Sequence, residues 1–147
     1  MVHSLILILN GFDANMRMRL KMNASNILVD SFAWLEILNG SDRGKIALSV
    51  IKESNKVFTS VLNIYEIKYR IEQIRDEETA NECITTIRLH TNVLDIDEEI
   101  ALKGARIRLD HKMGAVDSLI LATAILHDLK VLTGDQHFEG MAEAVMI

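Results

Sequence analysis

Short apolar runs alternate with longer stretches of helical spacing along this chain, and this alternation restricts the folds that it can adopt. In the longer stretches, apolar residues recur three and four positions apart, as on one face of a helix. Runs that are apolar throughout are typical of parallel strands covered by helices on both faces. The sequence therefore predicts an α/β fold with a central parallel β-sheet flanked by helices. Strands are predicted at residues 27–30, 56–60, 92–96, 130–133 and 144–147, and helices at residues 31–38, 43–54, 76–90, 98–113 and 117–129, with one more after an N-cap at Asn63.

The composition fits one globular domain in a reducing compartment. The chain has 147 residues, of which 49% are apolar and 25% charged, so neither disorder nor a membrane span is indicated. Its single cysteine, Cys83, excludes a disulfide framework and suits the cytoplasm.

Residues 1–25 are predicted to be a leader, and residues 26–147 the domain. The apolar run at residues 4–9 has no basic segment before it and no small-residue cleavage site after it, unlike a secretory signal. Six residues are also too few to cross a bilayer. We expect an over-extended start, with Met22 as one alternative, or a flexible leader.

Four acidic residues fall where such a fold would gather them at one edge of the sheet. Two follow predicted strands, and two lie near the starts of predicted helices. Carboxylates repel one another at short range, so a shared pocket calls for a cation. An all-oxygen set suits magnesium or manganese, ions that commonly activate water and stabilise a phosphate under attack. The four residues are Asp30, Glu66, Asp117 and Asp135.

Each acid also has a structural interpretation. Asp30 and Asp117 could cap the helices that follow them, and Asp135 follows a glycine in a turn. Glu66 comes three residues after Asn63, as in a capping box. No single acid decides the function.

The four acids lie in four motifs, and the order of these motifs along the chain is more specific than any one acid. They are Leu-Val-Asp-Ser-Phe-Ala-Trp at residues 28–34, Tyr-Glu-Ile at 65–67, Val-Asp-Ser-Leu-Ile-Leu-Ala-Thr-Ala at 116–124 and Leu-Thr-Gly-Asp-Gln-His-Phe at 132–138. In order and spacing they resemble the PIN-domain ribonucleases, and most of all the VapC-type toxins of prokaryotic toxin–antitoxin pairs. The resemblance covers residues 26–147 and implies a three-layer sandwich whose acidic pocket holds Mg²⁺ or Mn²⁺.

The resemblance also implies roles for residues and partners. The four acids would be the metal ligands and catalytic residues, with Ser31 and Thr133 in support. RNA would be the substrate. The expected protein partners are a second copy of the chain and an antitoxin, whose segment would place an arginine or lysine among the acids. Ile67, Tyr69 and Ile71 are predicted to be an exposed apolar set suited to such interfaces.

Other side chains are open to two interpretations. The net charge of −5 does not favour a broad nucleic-acid binder. Basic groups at residues 68–75 and 103–112 are either local phosphate contacts or solvated helix faces. His137 is either an RNA contact or a turn residue, whereas Trp34 and Phe138 are predicted to be core.

Two competing functions remain open from sequence. The nuclease could process RNA without being a toxin, or the pocket could have lost activity and serve for binding. A phosphatase of the aspartate type expects a second aspartate two residues after Asp30, where Phe32 stands. A phosphoaspartate receiver is expected to carry a further acidic pair. A dinucleotide-binding protein is expected to have a glycine-rich turn after the first strand.

Overall fold

The computed structural model describes residues 25–147, and these residues contain a five-stranded parallel sheet. The strands are β1 (Ile27–Val29), β2 (Val57–Ser60), β3 (Asn92–Leu94), β4 (Lys130–Thr133) and β5 (Ala144–Met146). The helices are α1 (Ser31–Asn39), α2 (Asp42–Glu53), α3 (Val61–Ile74), α4 (Glu77–His90), α5 (Glu98–His111) and α6 (Ala115–Leu126), followed by a 3₁₀ turn at Gln136–Phe138. The predicted leader lies almost entirely outside the described residues and stays a prediction.

Helices cover both faces of the sheet. Side chains alternate along a strand, so Ile27 and Val29 enter one buried cluster with residues of α1 to α4. Leu28 enters the other cluster, with residues of α5 and α6. Trp34 and Phe138 are fully buried, one in each cluster, as predicted. The predicted α/β three-layer sandwich with a central parallel sheet is confirmed.

The strand order places a crevice beside β1. In the order β3-β2-β1-β4-β5, the chain first builds outwards from β1 through β2 to β3, and then returns to add β4 and β5 on the other side. All neighbouring pairs are parallel. Ligands of open parallel sheets bind at this kind of reversal, beyond the carboxyl ends of the strands. Asp30 directly follows β1, and Asp135 lies two residues beyond β4.

Two helix starts differ from the prediction. Helix α3 begins at Val61, because Ser60 is its N-cap and forms a capping box with Asn63, so the predicted N-cap at Asn63 is wrong. Helix α6 begins at Ala115 after Gly114, which puts Asp117 inside the first turn and not at the cap. The helix stops at Leu126 and does not reach residue 129.

The predicted exposed set on α3 is also wrong in part. Ile67 and Ile71 are buried in the core, because residues four apart share a face of the helix. The exposed apolar side chains of α3 are Tyr65, Tyr69 and Ile74. Within the described part of the chain, no helix has the length and apolar character needed to cross a membrane.

Candidate active site

Asp30 is the buried centre of the acidic cluster. It occupies the N-cap position of α1, yet its side chain makes no capping hydrogen bond. Instead the Asn63 amide donates to its Oδ1 at 2.9 Å, and the Thr133 hydroxyl donates to its Oδ2 at 2.7 Å. These contacts join the ends of β1 and β4 to the first turn of α3. Asp30 is therefore the N-cap residue of α1, as its structural interpretation expects, but its carboxylate is used for contacts across the site and not for capping.

The environment of Asp30 opposes its ionisation. Burial raises the pKa of its carboxyl to about 6 from an ordinary 3.8, although hydrogen bonds from Thr133 and the Ser31 backbone lower it. The negative charges of Glu66 and Asp117 raise this pKa further. Both of these carboxylates are thus close enough to act electrostatically on Asp30.

Glu66 joins Asp30 through Ser31. The Ser31 hydroxyl donates to Glu66 Oε2 at 2.6 Å. The Ser31 Oγ atom also lies 3.4 Å from Asp30 Oδ1. The capping box of α3 uses Ser60 and Asn63, so the predicted capping role of Glu66 is wrong. The half-buried Glu66 is thereby held beside Asp30 across two helices.

Asp117, Asp135 and His137 form the second half of the site. His137 Nδ1 lies 3.3 Å from Asp117 Oδ2 and 3.0 Å from Asp135 Oδ1. One ligand atom from each of the three residues lies within 4.8 Å of the others. Burial raises the pKa of Asp117, the charge of Asp135 raises it further, and His137 lowers it.

Thr133 links the two halves. Its hydroxyl donates to Asp30 and accepts a hydrogen bond from the Asp135 backbone N–H at 3.1 Å. Between them, Gly134 packs against the Phe32 ring so closely that any Cβ at position 134 would overlap it. A larger residue at position 134 would therefore force the Phe32 ring of α1 to move.

All six residues predicted from sequence lie at this edge of the sheet. Ser31 and Thr133 contact the acids directly, as supporting residues would. Two further residues were missed. Asn63 is predicted from sequence to be a helix cap, yet it stands one turn before Glu66 on the same helix face, and this spacing indicates its place in the site. His137 is open to two interpretations from sequence, yet it follows Asp135 by two residues within the same turn.

The cluster has the chemistry of a cation site. Among residues 25–147, no lysine or arginine forms an ion pair with any of the four carboxylates. Burial, and then the negative charge of neighbouring carboxylates, raise the pKa of Asp30 and Asp117. Hard oxygen donors without a lysine or arginine partner among these residues fit a magnesium or manganese ion.

Comparison with known protein families identifies the domain. The PIN domain family model matches residues 27–144. The chain belongs to the PIN domain family. This match includes all four acids and both halves of the site.

Solved structures share this PIN fold at low sequence identity. A toxin–antitoxin complex from Klebsiella pneumoniae is 24% identical, with a TM-score of 0.69, over 82% of this chain and 96% of that chain. VapBC-1 from nontypeable Haemophilus influenzae is 17% identical, with a TM-score of 0.68, over 83% and 96% of the two chains. VapC20 from Mycobacterium tuberculosis, a toxin that cleaves the sarcin–ricin loop, is 17% identical, with a TM-score of 0.67, over 79% and 95%. The comparison with curated proteins gave no significant match.

Proposed function

We propose that this PIN domain is a Mg²⁺- or Mn²⁺-dependent ribonuclease and the toxin of a toxin–antitoxin pair. The observation that carries the proposal is the cluster of four carboxylates at the carboxyl edge of the sheet, none of which pairs with a lysine or arginine of residues 25–147. Asp30, Glu66, Asp117 and Asp135 would hold the metal. Repulsion among them favours binding of a cation over an empty pocket.

The chain's own residues would fix the geometry of the reaction. Thr133 and Asn63 hold the Asp30 carboxylate in one orientation by a hydrogen bond to each oxygen. Ser31 holds Glu66 in the same way. Mutation of such hydrogen-bonded partners typically lowers metal affinity or activity by about 10–100-fold. A divalent ion bound there would activate water and offset the charge that develops on the phosphodiester.

Cleavage of RNA by the purified protein tests the nuclease proposal. Magnesium or manganese should support cleavage, and EDTA should stop it. Asp117→Asn should lose activity while remaining folded, since Asp117 is half-buried and makes no capping hydrogen bond. Cleavage that persists in exhaustively chelated protein would refute the metal requirement.

The toxin role is supported by the fold shared with solved toxin–antitoxin complexes. Expression of the chain should arrest growth, and co-expression of a small protein encoded directly upstream should relieve the arrest. A basic side chain of that antitoxin could occupy the acidic cluster in place of the metal. A nuclease that cleaves RNA without arresting growth would instead favour an RNA-processing role.

Self-association remains part of the proposal. The predicted interface residues Ile67 and Ile71 are buried and cannot support it. Light scattering of the purified chain measures the mass directly. A dimer is expected, and a monomer at micromolar concentration would contradict it.

A further inference from the structure

His137 approaches two of the proposed metal ligands at once. Its Nδ1 atom lies 3.0 Å from Asp135 Oδ1 and 3.3 Å from Asp117 Oδ2. Among the described residues, the His137 imidazole is the polar side-chain partner of Asp117. The position of this imidazole therefore affects how Asp117 and Asp135 can bind a cation.

The spacing of these atoms matches the edges of a metal coordination sphere. An octahedral ion with ligands at about 2.1 Å keeps adjacent ligand atoms about 3.0 Å apart. The two measured separations are close to that value, and one ligand atom from each residue lies within 4.8 Å of the others. A cation can thus contact the imidazole nitrogen and both carboxylates together.

The backbone places His137 beside the cluster. The His137 backbone N–H donates to Asp135 Oδ1 at 2.9 Å, which closes a turn that presents the His137 ring to the cluster. The next residue, Phe138, is fully buried and anchors the turn in the core. The His137 side chain is 64% exposed, and Nδ1 can offer a lone pair to a cation only in the tautomer that carries the ring proton on Nε2.

We propose that His137 is a further ligand of the divalent ion, binding through Nδ1 beside Asp117 and Asp135, and that it favours manganese over magnesium. This inference rests on the metal-dependent function proposed above. It adds one nitrogen to the all-oxygen set expected from sequence. Magnesium takes oxygen ligands and keeps its waters, whereas imidazole is a ligand of transition metals. The nitrogen therefore strengthens binding of manganese selectively.

Calorimetric titration of the full chain with MnCl₂ and with MgCl₂ tests the preference. His137→Gln should weaken manganese binding by at least about tenfold, the effect of losing even an outer partner of a metal ligand. Magnesium binding should change by less than about threefold, because magnesium does not depend on the nitrogen. His127→Gln is the matched control, since His127 is exposed at the end of α6, away from the cluster.

Pulsed electron paramagnetic resonance of the manganese complex tests the bond itself. The wild type and His127→Gln should show coupling between manganese and a directly bound nitrogen, and His137→Gln should lose it. Manganese binding that is unchanged or tighter in His137→Gln would overturn the inference, since tighter binding means that the imidazole competes with the ion.

The two proposals fail in different ways. A wild type that cleaves RNA with manganese but shows no nitrogen coupling refutes the role of His137 alone. A wild type that binds neither ion refutes the metal-dependent function, and the role of His137 with it.

Discussion

Replacing Asp30 with asparagine should stabilise the metal-free protein at neutral pH. The pKa of Asp30 rises from 3.8 to about 6 on folding, chiefly through burial. At about 1.4 kcal/mol for each unit, ionised Asp30 costs the folded state about 3 kcal/mol above pH 7. Because the folded protein binds the proton more tightly, stability falls as the pH rises from about 4 to about 6. Asparagine cannot ionise and removes this cost.

The hydrogen bonds at this position reduce the gain. The asparagine oxygen can still accept from Asn63, but its amide must donate to the Thr133 hydroxyl in place of accepting from it. One weakened buried hydrogen bond costs about 1 kcal/mol. The expected net stabilisation of Asp30→Asn is therefore about 2 kcal/mol at pH 7.5, or a rise in Tm of about 6 °C for a domain of this size.

Thermal unfolding in EDTA, followed by circular dichroism, measures the effect at pH 4 and pH 7.5. At pH 4 the wild type is mostly protonated at Asp30, so Asp30→Asn should be slightly less stable, and at pH 7.5 the order should reverse. Asp95→Asn is the matched control, since Asp95 is exposed. If Asp30→Asn is destabilised by the same margin at both pH values, the electrostatic account of Asp30 is refuted.

Three further substitutions test the contacts around the acids. Gly134→Ala should destabilise the protein by about 1–3 kcal/mol in urea unfolding, because its Cβ would overlap the Phe32 ring; wild-type stability would contradict this packing. Thr133→Val removes a buried donor and acceptor without changing the shape of the side chain. This substitution should lower the free energy of unfolding by about 1–3 kcal/mol and remove most of the cleavage rate. Ser31→Ala should lower the cleavage rate by about 10–100-fold with little change in stability, since it frees Glu66 to move; an unchanged rate would exclude a positioning role.

The fold could be predicted because its signals are local. Each of the two strands β1 and β4 contains an apolar run, and an acid follows each strand within two residues in sequence. Boundaries were less certain, since Ser60 and Asn63 both suit an N-cap and only the observed capping box decides between them. The error at Ile67 and Ile71 came from judging the apolar residues of this helix too many for one inward face, although these two residues, four apart, share that face and Tyr69 is exposed.

The contacts within the site could not be predicted, because they join distant parts of the chain. Asn63 and Asp30 are 33 residues apart, and Thr133 and Asp30 are 103 apart. Sequence indicates that the acids share an edge of the sheet, but the choice of hydrogen-bond partners depends on the side-chain conformations there. The contact of His137 with two acids depends on the turn after β4 in the same way.

Cleavage of a defined RNA by wild type, Asp117→Asn and Asp95→Asn, measured across a manganese titration and in EDTA, tests the central claim most directly. The wild type and Asp95→Asn should cleave with manganese and not in EDTA, and Asp117→Asn should be inactive at every manganese concentration while keeping its fold. Full activity of Asp117→Asn, or cleavage by the wild type in EDTA, would contradict a metal-dependent site at these acids.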